Sequence, residues 1–138
     1  MAQLGELREG LRARLALIPD CQASAYMLAN PTPPAMHVMP DETTYDLTMG
    51  RGHDRWTLKV QGFVGAVSDI GAQKRLDRWL AAEGPESVKA AIEGDKKLGG
   101  VASDTRVTEA SGYRQVVLDG RGPLLMAEWT VEILATSS

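Results

Sequence analysis

Two segments of this chain alternate apolar and polar residues with a period of two, and that periodicity constrains the fold more than any other feature. In the last long segment Leu125, Ala127, Trp129, Val131 and Ile133 point one way, while Glu128, Thr130 and Glu132 point the other. The segment Arg55 to Val67 behaves alike, with Trp56, Leu58, Val60, Val64 and Ala66 on one face and Thr57, Lys59, Gln61, Phe63 and Val67 on the other. Each reads as a strand with one packed face and one wet face. A sheet of such strands must bury its apolar side against something, and the rest of the chain supplies helices.

Leu4, Leu7, Leu11, Leu15 and Ile18 recur at spacings of three and four between Gln3 and Ile18, with Glu6, Arg8, Glu9, Arg12 and Arg14 between them. This is an amphipathic helix, ended by Pro19, which biases the preceding residue away from helical geometry. A second helix is expected from Ile70 to Ala82, capped by Ser68 or Asp69, with Ile70, Leu76, Trp79 and Leu80 facing inward and Gly84 ending it. A third, shorter helix is expected to start at Pro85, with Glu86 near its positive end, to bury Val88, Ala91 and Ile92, and to stop at Gly94. Short strands are expected around Ala25, Tyr26 and Met27 and from Ala35 to Met39, the latter halted by Pro40. Thr105 to Thr108 and Tyr113 to Leu118 also alternate like strands. Between Asp41 and Asp54 the polar residues and Gly50-Arg51-Gly52 read as an excursion, with Tyr45 and Leu47 in the first arm of a hairpin.

The order of elements is helix, two short strands, a long strand, two helices, then a strand meander. Its simplest realisation is a single α+β domain over residues 1–138: a two-layer sandwich of a mainly antiparallel or mixed sheet with helices on one face. At 138 residues, 43% of them hydrophobic, the chain can bury about two-thirds of its unfolded surface without staples. Its single cysteine forms no intramolecular disulfide, so a reducing compartment is the default. Fifteen Lys and Arg against eighteen Asp and Glu give a net charge of −3, which argues against a duplex-DNA reader driven by phosphate neutralisation. Apolar runs are far shorter than the roughly 20 residues of a membrane span, and the N-terminus is charged where a signal peptide is apolar.

The chemistry of catalysis leaves no local signature. His37, His53 and Cys21 are far apart and lack ligand-spaced partners, so neither a metal nor another cofactor is expected. No nucleophile elbow marks a serine or Cys21, and Leu98-Gly99-Gly100 follows a helix instead of opening one, unlike a phosphate cradle. Those glycines are expected to supply positive φ in a turn back to the sheet. Two features invite an interaction reading. Lys74, Arg75 and Arg78 form a basic ridge on the second helix, against the plainer alternative of a solvated helix face. The excursion carrying Met49, Arg51, His53 and Arg55 exceeds a tight connection, and is either an assembly arm or a floppy loop.

The run Ser87-Val88-Lys89-Ala90-Ala91-Ile92-Glu93, then Leu98-Gly99-Gly100-Val101 and the strand Thr105-Arg106-Val107-Thr108, resembles the tail terminator (tail completion) proteins of long-tailed bacteriophages, particularly those of actinobacterial hosts. The opening helix, the proline-rich Asn30 to Ala35, the Gly50-Arg51-Gly52-His53-Asp54 turn and the ending Ala127-Glu128-Trp129-Thr130-Val131-Glu132 follow that family's order. The likeness spans nearly the whole chain and rests on order and spacing. Lys96-Lys97 is more basic than the family's pattern.

The resemblance implies a structural virion protein without catalytic activity, located in the tail or neck and assembled in the bacterial host cytoplasm. Such a protein forms a ring, usually of six copies, on the head-proximal end of the tail tube. There it ends tube polymerisation and joins head-tail connector or stopper proteins. Genome DNA passes through its lumen without specific binding, and no membrane is involved. A closed ring requires two different complementary patches per subunit. The candidate interface residues are Arg51, His53 and Arg55, the ridge Lys74, Arg75 and Arg78, and Glu128 and Glu132 of the last strand, the acidic pair being the expected counterpart of the ridge. Alternatives are another neck or connector component or a tail tube subunit, a small enzyme or nucleotide-binding domain, and a nucleic-acid module using the Gly-Arg-Gly turns and Lys96-Lys97.

Overall fold

The computed structural model describes residues 4–19, 21–27, 33–45, 53–66, 70–117 and 123–136. The elements are α1 (Leu4–Leu15), β1 (Gln22–Ser24), β2 (Ala35–Thr44), β3 (His53–Ala66), α2 (Ile70–Leu80), α3 (Val88–Glu93), a single 3-10 turn (Leu98–Gly100), β4 (Asp104–Val117) and β5 (Pro123–Thr136). Among the described residues the strands form one five-stranded sheet in the order β1-β2-β3-β5-β4, in which β1 and β2 run parallel and the other neighbours antiparallel. This is the α+β sandwich that the alternation calls for, with its helices on one face.

Register explains why one face is apolar. Val38, Val60 and Trp129 lie side by side across β2, β3 and β5, as do Met36, Gly62 and Ala127. Leu58 pairs with Val131 and Trp56 with Ile133. Onto this surface α1 lays Leu7, Leu11 and Leu15, α2 lays Leu76 and Trp79, and α3 lays Val88 and Ile92, all fully buried. The short helices are pinned by polar ties as well as packing. Arg14 Nε donates to the Ala91 carbonyl of α3 at 2.8 Å, placing a cation at a helix C-terminus. Arg8 Nη1 donates to the Ala25 carbonyl at 3.3 Å, and the guanidinium lies 4.7 Å from the Tyr26 ring centroid.

Several sequence expectations need correction. The first short strand is Gln22–Ser24, earlier than expected, because Ser24 Oγ takes the Tyr26 amide at 3.2 Å and turns the chain away. Pro40 does not halt β2. Beyond His37 this strand has no neighbour on its β1 side among the described residues, so a missing amide donor is tolerated, and the ladder with β3 shifts register between Pro40 and Glu42 before continuing. Much of the supposed excursion is therefore hairpin ladder; Leu47, Met49, Gly50, Arg51 and Gly52 lie outside the described residues, as do Ser68 and Asp69. In α2 the buried residues are Ala72, Leu76 and Trp79, whereas Ile70 is 67% exposed. Pro85 precedes α3 in a turn, and the cap is Ser87, whose Oγ accepts from the Ala90 amide at 3.1 Å.

Thr105 and Val117 belong to one continuous strand, interrupted by register shifts between Val107 and Glu109 and between Ser111 and Arg114. Gly99 and Gly100 do hold positive φ, 73° and 103°, in the turn that returns the chain to the sheet. The outer face of the sheet is wet only in part: Ala35, Phe63 and Met126 form one cross-strand row and are buried. Their side chains shield one another as neighbours on adjacent strands.

Candidate interaction surfaces

Two surfaces gather the polar side chains that the sequence singles out. The first is a groove of about 530 Å³ at the end of the sheet where β2 begins and β3 ends. Pro33, Pro34, Val64 and Ala72 give it apolar walls, and α2 adds Lys74, Arg75 and Arg78. The helical spacing of three and four brings Lys74 and Arg78 to one side of α2, with Arg75 next to them. A register shift between Phe63 and Gly65 lets β3 bend there, and Gly65, at φ 140°, brings its backbone against Ala72.

The three cations differ in their surroundings. Arg78 Nε is held by Glu86 Oε2 at 2.6 Å. Lys74 and Arg75 have no ion-pair partner among the described residues. Arg75 instead lies near Cys21, whose thiol burial pushes up to about 11, the Arg75 charge offsetting part of that rise. Its surroundings thus favour the thiol over the thiolate at neutral pH.

The second surface is the outer face of the sheet, centred on Glu128. His37, Gln61 and Glu128 are register partners on β2, β3 and β5 and form a transverse polar row. His37 Nε2 and Gln61 Oε1 are 2.6 Å apart, and Gln61 Nε2 donates to Glu128 Oε1 at 2.7 Å. From β4, Arg114 Nη2 reaches the same oxygen at 3.1 Å, while Lys59 Nζ lies 3.8 Å from Oε2. Partial burial pushes the Glu128 carboxyl up, but hydrogen bonds from Gln61 and Arg114 and the charges of Arg114 and Lys59 outweigh it and hold the value below the usual range. Farther along, Arg55 Nε is 3.5 Å from Glu132 Oε1.

These positions separate the candidate interface residues. Lys74, Arg75 and Arg78 line the groove on the helix side, whereas Arg55, Glu128 and Glu132 share the opposite face of the sheet. Glu128 and Glu132 are compensated by cations of their own chain, so this face is charge-mixed instead of acid-rich. His53 opens β3, and Arg51 lies outside the described residues.

Sequence reasoning missed Lys59, Gln61 and Arg114 as partners of Glu128, and Pro33, Pro34 and Val64 as groove walls. Alternation puts Lys59, Gln61 and Glu128 on wet faces; the register that joins them depends on bulges with no sequence mark. Among the described residues, no group of three His, Cys, Asp or Glu side chains is placed to hold a metal ion. No helix among them is long and apolar enough to cross a membrane.

No protein-family model matches the chain, and no curated protein matches it in sequence.

Proposed function

We propose that this chain is a structural subunit of a long-tailed bacteriophage virion, a tail terminator that closes into a ring on the head-proximal end of the tail tube and works by fit, without turnover. The observation that carries this reading is the division of charge between its two surfaces. On the outer sheet face Glu128 is held by Lys59 and Arg114, and Glu132 by Arg55, a use that stiffens a surface. The groove places Lys74 and Arg75, which have no ion-pair partner among the described residues, beside apolar walls, as a docking surface requires. Together with the order of segments that resembles the tail terminators, this favours an assembling part over an enzyme. Its partners are further copies of itself, the tail tube protein and a head-tail connector or stopper, with genome DNA passing the lumen unbound.

The test is the assembly state of the purified chain by light scattering and electron microscopy, alone and with tube protein. Discrete rings, about six subunits each, that bind tube ends and halt their growth support the reading. Open-ended filaments of the chain alone favour a tube subunit. A monomer at every concentration that ignores tube ends overturns it.

A further inference from the structure

The far end of β2 carries charge opposite to that of the groove. Asp41 and Glu42 are both exposed and have no ion-pair partner among the described residues. Asp41 is the extra residue at the register shift between Pro40 and Glu42, so it has no register partner on β3. Tyr45, just past the end of the strand, is 67% exposed and meets Trp56 edge-on at 6.3 Å between centroids. This end thus presents two carboxylates and one large aromatic ring. The groove presents the complement: Lys74 and Arg75, without an ion-pair partner among the described residues, beside proline and aliphatic walls. Tyrosine and arginine are the residue types that most often anchor interfaces, and a carboxylate facing a guanidinium fixes register.

The two patches cannot satisfy each other within one chain. Pro34 at the groove and Asp41 belong to the same extended run, and seven residues of strand separate them by about 23 Å. A charged patch at one end of a strand and its complement at the other define a head-to-tail contact, the kind that closes into rings. We infer that the groove beside α2 receives the Asp41–Glu42 end of β2, with Tyr45, from a second copy of this chain. The inference deepens the ring reading and rests on it, replacing the Glu128 and Glu132 counterpart with a pair that has no ion-pair partner among the described residues.

The test uses two double variants of the full chain, Lys74→Glu with Arg75→Glu and Asp41→Lys with Glu42→Lys. Each alone is expected to weaken self-association by about tenfold or more, measured by sedimentation at moderate salt. An equimolar mixture is expected to restore it, because each variant's altered patch then meets its complement on the other. A folding defect would not be repaired by mixing, so a mixture that stays dissociated overturns the inference. So does undiminished assembly of either variant, which leaves the ring reading intact. A wild-type chain that never self-associates ends both. Loss of salt-dependent duplex-DNA affinity in the Lys74→Glu and Arg75→Glu variant, with assembly unchanged, would assign the groove to a polyanion instead and overturn the proposal.

Discussion

At the scale of single residues, the tightest constraint is Gly62 on the core face of β3. A Cβ there would stand 2.9 Å from Trp79 Cζ3 and 3.0 Å from Trp129 Cζ3, between two rings whose centroids are 6.4 Å apart. Gly62→Ala should therefore destabilise the fold by about 1–3 kcal/mol through overpacking, read as a lower urea midpoint. The sequence shows a glycine inside a strand and two tryptophans far apart in the chain; only the packing of α2 on β3 and β5 reveals why the glycine is needed. Glu128 makes a second residue-scale prediction. Its folded carboxyl sits below the ordinary value of 4.5, so its contribution to stability is complete above that value and is lost as pH falls through it toward the depressed one. Stability measured across this acid window should fall less steeply in Glu128→Gln than in the wild type. The wet position of Glu128 was legible from alternation, but its partners on β3 and β4 were not, because register is decided by bulges and turns.

At the scale of elements, α3 depends on its cap. It has only six residues, too few to persist on propensity, and Ser87 is buried with its Oγ accepting from the Ala90 amide and donating to the Ala81 carbonyl at 2.5 Å. Ser87→Ala should cost about 1–2 kcal/mol, visible as a lower midpoint of thermal or urea unfolding. The helix was legible from Val88 and Ile92, and its start was misjudged because proline at a first helical turn and proline in the preceding turn look alike in sequence. The end of α3 serves the sheet. Glu93 Oε2 accepts the Val107 amide at 2.9 Å at the first register shift of β4, while Lys89 Nζ holds Oε1 at 2.7 Å. Partial burial pushes this carboxyl up, and the Lys89 and Val107 hydrogen bonds with the charges of Lys89 and Lys96 more than reverse that, leaving it below 4.5. The contact weakens as pH falls through this depressed value. Glu93→Ala should lower the hydrogen-exchange protection factor of the Val107 amide at neutral pH, and acidification through the Glu93 carboxyl should lower that of the wild type, each taken against the intrinsic exchange rate at the same pH.

At the scale of the whole molecule, one cluster of buried side chains joins all three helices to β2, β3 and β5. Under conditions where the chain is dissociated, it should unfold in a single transition, with the fluorescence of its three tryptophans and far-ultraviolet circular dichroism coinciding. Two separated midpoints would show that α1 or the β4 edge melts on its own. The two-layer architecture was legible because periodicity and punctuation agreed along most of the chain; the strand order was not, since nothing local tells β5 to insert between β3 and β4. That insertion puts β4 on one rim of the sheet, while on the other side the three-residue β1 covers only the start of β2; both edges are irregular, with Pro40 and a bulge on β2 and two bulges and the Glu93 contact on β4. A smooth rim fourteen residues long would recruit any extended peptide by backbone pairing, and freshly made copies would seed fibres on one another. With that route obstructed, copies crowded together remain separate bodies able to detach and try again, so side-chain fit is left to choose which contacts last.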